Sequence, residues 1–381
     1  MNIWVIFGSR SAEHDVSITS AYAVMSGLKK HTSHKVFPIY ITREWKWIYD
    51  EKFKDINTFT TYDEENYKDT KFSIDFSLSK KLSFTQSRSG MFTKKESAEL
   101  DFVFPILHGL NGEDWAIQGI FDMLQVPYMW PSIEANATGM NKVTMKHIFT
   151  SLDIPLVQYL TYDKNTLDIQ EIISKLSFPL MVKPANLWSS IGISRVESEE
   201  DLENALEIAF HYDSFVMVEK CIPNLIELNC SVTEIDWEVV SSLVEQPIWS
   251  NEFLSFEEKY VSADGGTMQW LKNRVKIPAL IPDELTKRIQ DYTKVIYKNL
   301  FCKWGAPRID FLYNSVSWEL FVNEINTIPW ALQMHLWDKS WYSVWVFLEN
   351  LMRTWVQKSL ERKVNIDFNS NIIGHTIAFT K

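Results

Sequence analysis

Two short segments can bring carboxylates, an amide and a guanidinium within reach of one another. "APRIDFLYN" and "ELFVNEIN" read as strands joined by the turn "SVSW", and side chains alternate faces along a strand. Arg308, Asp310 and Leu312 then point one way and Ile309, Phe311 and Tyr313 the other, while Glu324 and Asn326 share a face with Leu320 and Val322. If the strands pair as a hairpin, Asp310, Glu324 and Asn326 converge beside Arg308. Such an all-oxygen, anionic set suits Mg²⁺, which usually shares its octahedral shell with water and substrate phosphates. The arginine would bind phosphoryl oxygens and stabilise developing negative charge. The same spacing also fits two edge strands with solvated polar faces.

Other segments offer what a nucleotide needs. Lys142, Lys183 and Lys259 follow or flank apolar strands or turns; a triphosphate needs several cations, although each lysine alone reads equally as a surface charge. "FVMVEKCI" followed by Glu227 has the form of an adenine hinge, with backbone groups on the base and a carboxylate on the ribose. "MVKPANLWSSIGISRV" runs from a strand into a small-residue turn whose N–H groups can cradle phosphate. Trp188 stands in its way.

The elements that must hold these residues alternate. "IWVIFGS", a helix from Ser17 to Leu28 and "KVFPIYIT" predict a parallel α/β layer. Residues 51–100 are polar with weak strand patterns and read as a peripheral insertion. "LDFVFPILHG" is another buried strand. The following helix places Ile117, Ile120, Phe121 and Leu124 on one face. Strand "FPLMVKPA", a helix over 199–210 with Ser198 and Asp201 as a capping box, and strand "FVMVEK" form a compact α/β unit. Strands dominate after Glu227. An amphipathic helix from about Ser340 to Arg362 closes the core, with Trp341, Trp345 and Trp355 as packing residues.

The bulk numbers bound the class. A chain of 381 residues accommodates two or three domains. Its 46% apolar and 23% charged content is that of a globular protein, and the net charge of −11 argues against a general nucleic-acid or membrane-surface binder. Three scattered cysteines suit neither a disulfide framework nor a zinc site. With no signal-peptide pattern and no long apolar run, a cytoplasmic location is expected. One count stands out: the 12 glycines are about 3% of the chain against an average near 7%, and the 16 tryptophans outnumber them.

In order, "FGSRSAEHDVSITSA", "HGLNGEDWAIQG", "PYMWPSIEANATGMNKVTMK", "VKPANLWSSIGISRV", "EEKY", "APRIDF" and "NEINTIPW" resemble the motifs of the D-alanine–D-alanine ligases, which are ATP-grasp enzymes. The resemblance spans nearly the whole chain, leaving out about 51–100 and the tail after 360. It implies an α/β ATP-grasp architecture of three units: an N-terminal substrate-binding domain (1–137), a central domain (138–218) and a C-terminal metal-binding domain (219–381). ATP would be clamped between the last two. The implied reaction converts one D-alanine to an acyl phosphate with ATP, and a second D-alanine then attacks, supplying peptidoglycan synthesis.

Carried onto this sequence, Glu13 would hold the ammonium of the first D-alanine, with Val16 beside it and His108 near its carboxylate. Lys142 and Lys183 would bind phosphates under a loop carrying Ser189 and Ser190. Glu219, Lys220 and Ile222 would line the adenine pocket, and Glu227 would take the ribose. Lys259 and Tyr260 would sit on the mobile loop that closes the site, Arg308 would stabilise the phosphoryl and tetrahedral species, and Asp310, Glu324 and Asn326 would ligate two Mg²⁺, or Mn²⁺. A homodimer is also implied.

Departures from the family pattern carry information. Where the family often has Ser-Leu on the acceptor's carboxylate, this chain has His335-Leu336, which reopens acceptor choice: D-alanine, D-serine or D-lactate. Tyr260 favours an amino acid. A catalytically silent nucleotide-binding protein is the rival outside this chemistry. Trp115, Trp130, Trp188, Trp304 and Trp330 stand at family glycines; Trp4, Trp45 and Trp270 fit that pattern less closely, and Trp47 and Trp337 match aromatic positions. A gene whose UGA codons mean glycine would produce this pattern when translated as tryptophan.

Overall fold

The computed structural model describes residues 1–29, 34–75, 82–88, 94–186, 191–248 and 274–361. The chain opens with β1 (Asn2–Gly8), α1 (His14–Lys29), β2 (Lys35–Ile41) and β3 (Trp47–Tyr49). It continues through β4 (Thr70–Asp75), β5 (Ser83–Arg88) and β6 (Lys94–Glu99) to β7 (Phe102–Ile106) and α2 (Ala116–Met123). Strands β2, β1 and β7 run parallel, with β3 antiparallel at the edge, in the order β3-β2-β1-β7. Ile3 to Phe7 are all fully buried, as expected of a parallel strand covered on both faces.

Residues 51–100 are less peripheral than their polarity suggests. Strands β4, β5 and β6 form an antiparallel sheet, and Phe53, Tyr67, Leu82 and Phe84 are buried in the first unit's core. Phe84 meets Trp4 edge-on at 5.3 Å between ring centroids. Gln86, also buried, accepts from the Tyr49 N–H at 2.8 Å and donates to its carbonyl at 2.7 Å. The apolar face of β5 is hidden in the sequence because every second residue is polar and faces out.

After α3 (Ile133–Gly139) and α4 (Lys142–Ser151) comes an antiparallel sheet, β10-β9-β11-β8, made from β8 (Tyr159–Asp163), β9 (Leu180–Pro184), β10 (Ser194–Val196) and β11 (Phe215–Lys220). It is backed by α5 (Ile169–Lys175) and α6 (Glu199–Tyr212). The expected capping box does not form: the Ser198 hydroxyl donates to the Asp201 carboxylate at 2.9 Å rather than capping a backbone N–H. A five-stranded sheet, β14-β13-β12-β15-β16, follows from β12 (Leu225–Ile235), β13 (Glu238–Pro247), β14 (Val275–Lys276), β15 (Arg308–Asn314) and β16 (Leu320–Asn326). Helix α7 (Asp283–Asn299) packs on β12 and β13; α8 (Met334–Lys339) and α9 (Val344–Glu361) end the described chain.

The turns between these elements contain an anomaly. Six tryptophans, 45, 115, 237, 304, 318 and 341, have φ between 63° and 78°, the left-handed region that a Cβ disfavours. Trp237 follows Asp236 (φ 47°) in the two-residue loop joining β12 to β13, a turn that ordinarily reads Asp-Gly or Asn-Gly. Trp341 follows α8 while the Tyr342 N–H bonds the Trp337 carbonyl at 3.0 Å, which makes 341 the glycine position of a Schellman cap. It therefore lies outside α9 and is 84% exposed, unlike the packing residue expected from the sequence; Trp355 does pack, 4.6 Å from the Tyr128 ring. A bulky residue in this region costs about 1–3 kcal/mol. Six such costs rival the roughly 5–15 kcal/mol by which a domain is stable.

Candidate active site

Strands β15 and β16 pair as the sequence suggests, with Arg308 opposite Asn326 and Asp310 opposite Glu324. Arg308 donates twice to Asp310, Nε to Oδ1 at 2.6 Å and Nη2 to Oδ2 at 2.7 Å, and Asn326 Nδ2 donates to Oδ2 at 2.9 Å. One detail differs. A bulge between Asp310 and Phe311 shifts the register, so Leu320 and Val322 are buried while Glu324 and Asn326 remain partly exposed. Strict period-2 alternation put all four on one face; the inserted residue separates Glu324 and Asn326 from the buried pair.

Facing them is a cluster of buried cations. Helix α4 begins at Lys142, behind Asn141, whose side chain accepts from the Thr144 N–H at 2.8 Å. Lys142 and Lys146 lie one turn apart on its buried side. Lys142 Nζ is 3.9 Å from Glu324, which joins this helix to the β15–β16 hairpin. Lys146 Nζ is 2.5 Å from Glu219 at the end of β11, and Lys183 of β9 bonds the other oxygen of the same carboxylate. Burial pushes the Glu219 pKa up, but the two lysines outweigh it and hold it at about 2. Burial pulls Lys142 and Lys146 below the ordinary lysine value; Lys183 is also lowered by burial, yet Glu219 takes it above.

A cleft of about 490 Å³ has Arg10, Glu13, Gly109, Met140, Asn186 and Ile191 on its walls. Glu13 and Val16 sit at the start of α1, both buried. A Cβ on Gly109 (φ 73°) would lie 2.9 Å from a Glu13 carboxylate oxygen, so the glycine permits that approach. His108 shares a hydrogen bond with Ser20 at 2.8 Å and lies 3.7 Å from Glu113. Burial lowers its pKa, but Glu113 and Glu13 outweigh this and raise it. Ala331, Leu332 and Gln333, just beyond β16, are left-handed in succession, and the Ala331 N–H donates to Ser20 at 3.0 Å. Backbone strain of this kind persists where the surroundings hold it.

The D-ala D-ala ligase N-terminal model matches residues 2–131, and the C-terminal model of the same family matches 148–357. The chain belongs to the D-alanine–D-alanine ligase family. It is 33% identical to the D-alanine--D-alanine ligase of Thermosipho melanesiensis over 98% of each chain. Against the enzyme of that name from Acetivibrio thermocellus it is also 33% identical, over 93% of this chain and 96% of the relative. The structure of VanG D-Ala:D-Ser ligase from Enterococcus faecalis superposes with a TM-score of 0.75 at 30% identity, covering 93% of this chain and 99% of the other. The Coxiella burnetii D-alanine-D-alanine ligase gives 0.76 at 22% identity, covering 100% and 99%, and shows the fold. The chain is thus an ATP-dependent ligase of ATP-grasp architecture.

Other residues of the ligase stand as follows. The Glu219 carboxylate is occupied by the two lysines; Lys220 is exposed, and Ile222 and Glu227 are half-buried. His335 Nε2 is 2.5 Å from buried Glu245, which also accepts from Asn229 Nδ2 at 3.2 Å. Leu336 is fully buried, so its side chain packs and only its backbone remains for a ligand. Trp188, Ser189, Ser190, Lys259, Tyr260 and Trp270 lie outside the described residues. The sequence reading missed Lys146, Glu113 and Glu245. Lys146 had a signal, the i, i+4 pair in "KVTMK"; the two glutamates are joined to their histidines only by the fold.

Proposed function

We propose that the ligase condenses two D-alanines to D-alanyl-D-alanine through an acyl phosphate, supplying peptidoglycan precursors. One observation carries this reading: Lys142 lies 3.9 Å from Glu324, so a cation suited to phosphate on helix α4 and a carboxylate suited to a metal on the β15–β16 hairpin converge on one site. Glu13 holds the ammonium of the first D-alanine, with Val16 beside it, and His108, whose pKa Glu113 and Glu13 raise, faces the carboxylate. Lys142 and Lys183 bind the triphosphate, and Ser189, Ser190 and Lys259, which lie outside the described residues, would join them. Adenine lies against the backbone of Glu219, Lys220 and Ile222, and Glu227 takes the ribose. Asp310, Glu324 and Asn326 are hard oxygen donors that fit two Mg²⁺, or Mn²⁺, whose chemistry would be to neutralise phosphate charge. The first carboxylate takes the terminal phosphoryl group, a step governed by positioning and charge neutralisation. The second amine then attacks that carbonyl, phosphate leaves, and Arg308 stabilises the oxyanion. Tyr260 would complete closure against Glu13 and Ser189, excluding water from the acyl phosphate.

We also propose three units, 1–137, 138–218 and 219–381. The second break is better put after Lys220, where β11 ends. A cytoplasmic homodimer is proposed too; no helix among the described residues is long and apolar enough to cross a membrane. A second reading makes D-serine the acceptor. The His335–Glu245 hydrogen-bonded pair, where the family often has serine, supports it, since a polar pair within electrostatic reach of Arg308 can orient a hydroxyl. ATP-dependent phosphate release with D-alanine alone, then with D-serine or D-lactate added, separates these. Turnover on D-alanine alone is expected; release that requires D-serine would favour the second reading.

A further inference from the structure

We infer that the natural protein carries glycine, not tryptophan, at 45, 115, 237, 304, 318 and 341, because UGA codons in its messenger are read as glycine. The observation is conformational. Only a few per cent of non-glycine residues adopt positive φ, yet among the described residues six of thirteen tryptophans do, while the phenylalanines and tyrosines contribute one, Phe301. A general tolerance of bulky aromatics would have affected all three types.

The six occupy places where a backbone needs glycine. Trp45 N–H bonds the Thr42 carbonyl at 3.1 Å while the Thr42 N–H bonds Lys46 at 2.9 Å, closing the loop from β2 to β3. Trp318 closes the β15–β16 loop, its N–H on the Asn314 carbonyl at 2.9 Å. Trp237 and Trp341 complete the Asp-X hairpin and the helix cap described above. Trp115 enters α2 without a side-chain cap. Five of the six are exposed: 45, 115, 237, 318 and 341. Their indoles gain little burial for the strain.

A second set points the same way. Trp4 and Trp130 are fully buried, and neither indole N–H finds an acceptor among the described residues. By contrast, Trp337 donates to Ser231 at 3.2 Å, Trp355 to the Trp130 carbonyl at 3.3 Å, and Trp47 stacks on Phe72. Those three behave as tryptophans should. The structure adds 237, 318 and 341 to the positions that family resemblance suggested.

The test is the gene, with peptide masses of the protein from its own cells. UGA is expected at codons 45, 115, 237, 304, 318 and 341, with glycine in the matching peptides, and UGG at 47, 337 and 355. UGG at the six codons, or tryptophan in those peptides, overturns the inference. Recombinant proteins give a readout independent of activity. The chain with all six positions changed to glycine (Trp45→Gly through Trp341→Gly) should melt at least about 10 °C above the written chain, or be the only one that folds. Trp337→Gly should lower the melting temperature. A six-site variant no more stable than the written chain would also overturn it.

Discussion

Glu219→Gln removes the one carboxylate that touches both Lys146 and Lys183. All three side chains are about nine-tenths buried or more, so the lysines cannot turn to water. Breaking a buried pair from one side costs about 3–5 kcal/mol. The alternative, releasing a proton from a lysine of ordinary pKa 10.5, costs about 5 kcal/mol at pH 7, so neither route escapes the penalty. The melting temperature should fall by about 10 °C. ATP supplies negative charge to the same lysines, so saturating ATP should recover more of the loss in the variant than it adds to the unmutated chain. The acid limb provides a sign. Glu219 titrates at about 2 in the fold and near 4.5 unfolded, so its contribution is complete above 4.5 and is lost as pH falls toward 2. That slope should be missing in Glu219→Gln. A variant that melts within about 2 °C of its parent at pH 7 refutes the idea that the lysines depend on this carboxylate.

Glu324→Gln should cut ligation at least about 100-fold while lowering the melting temperature less than Glu219→Gln does, because Glu324 is partly exposed and touches one lysine at 3.9 Å; near-normal turnover would refute its assignment as a metal ligand. His108 has a raised pKa in the fold, so its contribution is complete below 6.5 and is lost as pH rises past the folded value. The stability gap to His108→Gln should therefore narrow from pH 6 to pH 9, and a constant gap would count against an imidazolium there. His335→Ser should raise the KM for the second amino acid at least about tenfold and leave that for ATP within about twofold. Equal shifts in both constants would mean that His335 only supports the fold.

The hairpin was legible from alternation because Ile309, Phe311 and Tyr313 are apolar in steps of two. The bulge after Asp310 was not, since an inserted residue leaves no mark in a polar-apolar pattern. Lys142 and Lys183 could be read from short motifs, but their pairing depends on separate elements, α4, β9 and β11, meeting in space. The region over 51–100 misled for a physical reason: one buried face on β5, with Phe84 and Gln86, is diluted by exposed polar neighbours. Glycine scarcity announced that some tryptophans were out of place, and resemblance picked out several. Only the backbone angles could add 237, 318 and 341, because a left-handed φ is a property of the turn and not of its composition.

The central claim is best tested by following ATP consumption and product mass together, using the chain made both as written and with glycine at the six positions and at 130, 188 and 330. With D-alanine as the sole amino acid, the folded protein should release one phosphate for each D-alanyl-D-alanine formed. A folded, glycine-restored protein that consumes no ATP with D-alanine, or forms product only when D-serine is supplied, would contradict the account.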